Sequence, residues 1–214
     1  MALTLSVDPG VPEDRPLVLA AEVIQAGGVI VYPTETLYGI GANALDPEAI
    51  AKVQAIKRRT DKKPMLVLVA THAAAEDLAL AISPTAHSLM DAFWPGPLTL
   101  VFSAAEAVPS ALRPEGNTIG IRVPSSPLCL KLLKLCGCPI ISTSANLSGA
   151  VTHRTVGEIR KTLHAGVDLY LDAGPLPESS PSTIVDVTVT PPRVLRAGAV
   201  DINRLRSVVP DIRS

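Results

Sequence analysis

The pair Gly27-Gly28 is followed at once by Val29-Ile30-Val31-Tyr32, an apolar run too short for a helix and closed by Pro33. It reads as a buried strand, and a second such run, Met65 to Val69, follows after a helical segment. Strand, helix and strand within forty residues restrict the chain to an α/β arrangement. What lies between the runs is chemically loaded. Pro33-Thr34-Glu35-Thr36-Leu37-Tyr38-Gly39-Ile40-Gly41 is dense in hydroxyls and turn formers, and Lys57-Arg58-Arg59-Thr60-Asp61-Lys62-Lys63-Pro64 collects cations. Hydroxyl donors and cations bracketing one unit suit an anionic, phosphate-bearing ligand.

The remaining chain continues the pattern. Residues 1–15 read as an extended lead-in, with Pro16 to Ala26 a helix carrying Leu17, Ala20, Ala21, Val23 and Ile24 at helical spacing. Asp46-Pro47-Glu48 supplies an N-cap, a first-turn proline and an acid at the positive helix end, so a helix begins there and runs to about Lys57. A simple strand-then-helix unit would leave Lys57 at the far end of the sheet from Thr34. The residues between Thr36 and Asp46 must therefore first cross the molecule, and ten or so extended residues span roughly 30 Å. Positions 57 and 59 are about 200° apart on an ideal helix, so both face one ligand only if the helix unwinds there. Further helices are expected over Ala73 to Ala81, Pro84 to Phe93, Pro127 to Leu135 and Thr155 to His164. Strands are expected over Leu98 to Phe102, Thr118 to Val123, Asp168 to Leu171, Thr183 to Val187 and Arg193 to Leu195. Without an internal repeat or a clear linker, one domain over 16–206 with a tail at 207–214 is the simplest organisation.

Composition excludes several functions. A net charge of -1 gives no global attraction to nucleic acid or anionic lipid, and 3% aromatics argue against base-stacking platforms. Three cysteines without framework spacing fit a reducing compartment. The start of the chain lacks a secretory pattern and no apolar run reaches the length of a membrane span, so a cytoplasmic protein is expected. The four histidines are scattered, giving no metal-ligand spacing, and there is no phosphate-binding glycine loop or nucleophile elbow.

What remains is polar loops at strand ends. Ser142-Thr143-Ser144-Ala145-Asn146-Leu147-Ser148-Gly149 offers hydroxyls, a carboxamide and backbone N–H groups suited to phosphate or carboxylate oxygens, and equally to turns and helix caps. Lys57 to Lys63 reads either as a ligand-binding cluster or as a solvated run at a helix C-terminus. In Thr118 to Val123, Arg122 falls on the opposite face from Ile119 and Ile121, either solvated or aimed into a cleft.

Taken in order, Tyr32 to Gly39, Lys57-x-Arg59 with Lys63-Pro64, Trp94-Pro95-Gly96-Pro97-Leu98-Thr99, Thr118 to Pro124, Ser142 to Gly149, Pro181 to Asp186 and Val194-Leu195-Arg196-x-Gly198 resemble the YrdC-like domain family, the threonylcarbamoyl-AMP synthases. The resemblance covers roughly residues 16 to 203. It implies a single α/β domain whose twisted mixed sheet, with helices around it, walls a large concave cavity. It further implies condensation of L-threonine, bicarbonate or CO2, and ATP into threonylcarbamoyl-adenylate and pyrophosphate. Downstream tRNA threonylcarbamoyl-transferase proteins then use the product.

Carried over by motif, Lys57, Arg59, Ser144 and Asn146 form the catalytic set. Thr36, Arg122, Ser144 and Ser182 hold threonine, with Arg122 on its carboxylate. Arg59, Lys63, Thr118, Asn146, Arg154 and Arg196 contact the nucleotide. Mg2+ travels with ATP and needs no protein cage. The match departs at Leu68, where many members carry His, which implies a missing or replaced threonine contact. The alternative is a module binding double-stranded RNA or tRNA through Arg58, Lys62, Lys63, Arg154, Arg160 and Lys161, without synthase activity.

Overall fold

The computed structural model describes residues 2–58, 65–113, 117–163 and 165–214. In chain order the strands are β1 (Leu3–Ser6), β2 (Ile30–Pro33), β3 (Tyr38–Gly41), β4 (Leu66–Leu68), β5 (Leu98–Ser103), β6 (Thr118–Arg122), β7 (Ile140–Ile141), β8 (Thr143–Ser144), β9 (Leu169–Asp172), β10 (Thr183–Asp186) and β11 (Arg193–Arg196). The helices are α1 (Asp14–Gln25), α2 (Pro47–Ile56), α3 (His72–Glu76), α4 (Pro84–Phe93), α5 (Pro127–Cys136), α6 (Val156–Leu163) and α7 (Ile202–Val208).

Local chemistry accounts for the helix starts. Asp46, Ser83 and Ser126 each precede a proline and accept a backbone N–H of the first turn, from Glu48, Ala86 and Cys129 respectively. Gly27 and Gly137, at φ 74° and 65°, take the left-handed conformation that ends α1 and α5. The segment after Thr71 is helical only to Glu76. Ala79 instead bridges Ala104 and the Leu80 N–H bonds Ser103 O, so cross-chain pairing overrides the helical propensity expected up to Ala81.

The mixed α/β architecture expected from the sequence is present, but in place of the one twisted sheet the strands pair into two, in the orders β1-β9-β2-β3-β8 and β11-β10-β5-β6-β4-β7. β2 explains the first apolar run. Val29 and Val31 belong to the main core between the sheets, whereas Ile30 and Tyr32 face a second core against α1 and α5, so the strand is buried on both faces. β2 and β3 are antiparallel, with Pro33 opposite Tyr38. This hairpin returns the chain across the molecule before α2, as the sequence argument required.

Two terminal segments differ from the expectation. Leu3–Ser6, within the expected lead-in, is a strand parallel to β9. Beyond residue 206, the Val194 N–H bonds Arg213 O and Arg213 N–H bonds Pro192 O, while Ile212 is buried, so this part of the chain is pinned beside β11. Among the described residues no helix is long and apolar enough to cross a membrane.

Candidate functional site

Four elements converge on one cavity of about 640 Å³: the turn between β2 and β3, the loop at β8, the end of β6, and the segment from β9 to β11. Among the described residues its lining includes eight Ser and Thr residues together with Arg122 and Arg196, and no acidic residue.

The turn is built by Thr34. Its Oγ1 accepts the N–H groups of Thr36 and Leu37, both at 3.1 Å, and its hydroxyl donates to Leu37 O at 2.7 Å. The Thr36 hydroxyl is thereby held 3.0 Å from that of Thr34, facing the cavity.

β3 pairs with β8, putting Gly39 opposite Ser144. Ser144 Oγ donates to Asn146 Oδ1 at 2.5 Å, and Asn146 Nδ2 donates to Ala150 O at 2.5 Å. Behind this loop lies Lys57, only 3% exposed. It caps α2, and its ammonium donates to Ser144 O at 2.6 Å and Asn146 O at 2.8 Å. The Ser148 N–H returns a bond to Lys57 O. Lys57 thus braces the loop from within. Ser144 is in the cavity lining, while Lys57 and Asn146 stand behind it.

Arg122 ends β6 and is buried, which decides between the two readings left open by strand alternation. Its Nη1 donates to Glu35 Oε1 at 3.0 Å. Across the cavity, Ser182 shares a hydrogen bond of 2.9 Å with Thr99. Arg196 folds over it, donating from Nε and Nη2 to Ser182 O at 3.1 and 2.7 Å. A side chain at Gly198 would put its Cβ 2.2 Å from Pro181 O, so glycine permits the close approach of these two segments. Crowding by protein atoms, and then the Arg122 cation, hold the Arg196 guanidinium below its usual value. Arg196 remains open to solvent at the rim despite that crowding. Glu35 offsets the charge of Arg122 from outside the lining, and the described lining itself presents two guanidiniums and hydroxyls without a carboxylate, donors that suit an anion.

Of the residues carried over from the family pattern, Thr36, Arg122, Ser144, Ser182 and Arg196 line this cavity. Thr118 begins β6, opposite Ser103, roughly 13 Å along the strand from Arg122, and is outside the lining. Arg154 is directed elsewhere: its Nε donates to Leu176 O at 2.6 Å and its Nη1 lies 3.5 Å from Glu178 Oε1. Arg59 and Lys63 lie outside the described residues. Leu68 is 1% exposed in the core against α1 and α5, while Leu66 on the same strand face lines the cavity.

Sequence reasoning did not single out Ser142, Thr152 and Ser179 as lining, nor Glu35 as the partner of Arg122. The signal for Ser142 and Ser179 was the hydroxyl density of their loops. Of the cations proposed for RNA, Arg160 donates to Thr4 Oγ1 at 2.8 Å and lies 5.3 Å from the Tyr170 ring centre, and Arg154 is engaged as above. Arg58 and Lys161 are exposed.

Residues 22–198 match the model of the Sua5/YciO/YrdC family, described as telomere recombination. A putative threonylcarbamoyl-AMP synthase of Mycobacterium tuberculosis is 38% identical over 209 residues, covering 97% of this chain and 96% of that protein. The threonylcarbamoyl-AMP synthase of Pyrococcus abyssi is 34% identical over 201 residues, covering 94% of this chain. The chain spans 59% of the length of that relative. The crystal structure of P. abyssi Sua5 complexed with L-threonine superposes with a TM-score of 0.94 at 32% identity, over 99% of this chain and 62% of the other. Escherichia coli YciO superposes with a TM-score of 0.88 at 31% identity, over 96% of this chain and 100% of the other. The matched span runs through both walls of the cavity, from Thr36 to Arg196, and the chain belongs to the Sua5/YciO/YrdC family.

Proposed function

We propose that the cavity condenses L-threonine, bicarbonate or CO2, and ATP into threonylcarbamoyl-adenylate and pyrophosphate. The observation that carries this reading is the pair of guanidiniums, Arg122 and Arg196, facing one hydroxyl-lined cavity whose described lining holds no carboxylate. One substrate presents a carboxylate and another a triphosphate, so a site for both needs two cationic positions and many neutral donors. The likeness to the P. abyssi structure that holds L-threonine supports the amino-acid half.

In this reading the threonine carboxylate meets Arg122, with the hydroxyls of Thr36, Ser144 and Ser182 orienting the amino acid. The threonine amine attacks CO2, forming a C–N bond and losing a proton to give a carbamate. A carbamate oxygen then attacks the α-phosphorus of ATP, and the bond to the β-phosphate oxygen breaks to release pyrophosphate. No side chain needs to bond to the substrate. The protein holds the reacting groups in line and stabilises charge on the phosphate oxygens. Arg196, Asn146, Thr118, Arg59 and Lys63 serve the nucleotide, and Lys57 positions Ser144 and Asn146. Arg154 acts at a distance, through the segment it braces. The described lining offers hydroxyls and guanidiniums but no carboxylate cage, so Mg2+ would come as the counter-ion of ATP and would supply charge neutralisation on its phosphates. The product would pass in the cytoplasm to tRNA threonylcarbamoyl-transferase proteins.

Pyrophosphate release measured with threonine, bicarbonate and Mg-ATP tests the assignment. Release should require threonine, and serine should be at least about tenfold poorer because it lacks one methyl group. Arg122→Ala should raise KM for threonine by about a hundredfold, the scale of one lost charge-assisted contact. Release that does not depend on threonine would reject the substrate.

A further inference from the structure

Glu35 sits between Thr34 and Thr36, whose side chains line the cavity, yet its own carboxylate turns to the wall behind Arg122. Oε1 accepts from Arg122 Nη1 at 3.0 Å and from the Ser125 N–H at 3.3 Å. The contact ties the β2–β3 turn of one sheet to the end of β6 in the other. It is nearly dry, the two side chains being 5% and 17% exposed. It is also incomplete: Arg122 Nε and Glu35 Oε2 are both buried without a hydrogen-bond partner. Arginine–carboxylate pairs are frequently bidentate, with two parallel bonds. Here one is made, and a donor and an acceptor are left over on either side of it.

We propose, on the basis of the threonine reading above, that Glu35 is the resident counter-charge of the amino-acid subsite. It neutralises Arg122 while no amino acid is bound, then competes with the incoming carboxylate for the same guanidinium. A buried guanidinium without a counter-charge is strongly unfavourable, so the ligand-free protein needs Glu35. Once the substrate carboxylate arrives, one cation serves two anions, and the charge on Glu35 weakens threonine binding. Affinity is thereby kept moderate, which leaves more of the binding energy to be realised in the transition state.

Glu35→Gln preserves shape and an acceptor oxygen for Arg122 and Ser125 while removing the charge. Calorimetric titration should show threonine binding about tenfold tighter in this variant, with the affinity for a non-hydrolysable ATP analogue unchanged. Its ligand-free Tm should fall, and threonine should raise its Tm further than it raises that of the wild type. A residue that merely supports the fold would lower the Tm without tightening threonine, so unchanged or weaker threonine binding overturns the proposal. The double variant Glu35→Gln with Arg122→Gln leaves neither charge alone, and its Tm should recover above that of Glu35→Gln. The same holds if the single variant does not fold and the double variant does; no recovery overturns the pairing role. Wild-type protein that binds no threonine would instead reject the functional reading, and the stability comparison would then decide the Glu35–Arg122 pairing by itself.

Discussion

At position 57 a single side chain links helix end, loop and cavity. Strand and helix periodicity placed Lys57 at the end of α2, and the family pattern made it a catalytic candidate. Its burial and its two carbonyl acceptors come from contacts 87 and 89 residues away in sequence, which no local periodicity reports. Arg122 shows the same division. Alternation gave the face it occupies, but not Glu35, also 87 residues distant. Removing the ammonium by Lys57→Ala takes the lysine's donor from Asn146 O and leaves Ser144 O with the Asn146 N–H, at a cost of about 3 kcal/mol for two bonds to a charged group. For a chain of this size that lowers Tm by roughly 6–12 °C. Turnover should fall with it, because Ser144 loses its brace. A thermal melt alongside pyrophosphate release checks this, and full activity with an unchanged melt would show that the brace is dispensable.

Elements were legible where local chemistry decides them. The Asp46-Pro47, Ser83-Pro84 and Ser126-Pro127 starts are written in the sequence, because cap and first-turn proline act within four residues. β3 and β8 were not. In Tyr38-Gly39-Ile40-Gly41 two glycines offset the strand propensity of Tyr and Ile, and two-residue Thr143–Ser144 has no period, so both exist through pairing with neighbours. The segment from Gly174 to Ser182 belongs to this class, being held by side chains remote in sequence. The Tyr38 hydroxyl donates to Gly174 O at 2.8 Å, Arg154 grips Leu176 O, and Ser179 Oγ donates to Thr36 O. Buried Leu176 anchors it. Arg154 therefore acts as a clamp on a cavity wall, and Arg154→Ala should release that wall. Amide exchange at Leu176 should quicken by about tenfold, the value of one hydrogen bond to a charged group. A raised KM for ATP with unchanged exchange would return Arg154 to the nucleotide.

For the whole molecule, the order of motifs along the chain identified the architecture, whereas the division into two sheets is a matter of strand register that sequence spacing leaves open. The division leaves a second core against α1 and α5, which encloses Cys129 and Cys136. Both are free thiols buried in that core, and Cys138 is half-buried beside them. Desolvation, and then the charge of Glu35, push the Cys129 thiol up to about 12; desolvation, and then Cys138, do the same for Cys136. Burial also raises Tyr38 to about 12. An unfolded thiol releases its proton near 8.5 and an unfolded phenol near 10. Between those values and 12 the folded state therefore holds more protons than the unfolded state, and stability falls as pH rises. The contribution is complete below pH 8.5 and is lost through about pH 12. Cys129, fully enclosed, alone gives a slope of about 1.4 kcal/mol per pH unit in that window, with Cys136 and then Tyr38 adding to it. Tm measured from pH 7 to 11 should be flat at first and drop beyond about 8.5. Cys129→Ala should start lower, because it leaves a cavity, but decline less steeply above pH 9. Equal alkaline slopes in the two proteins would show that the Cys129 thiol is not held protonated by the fold.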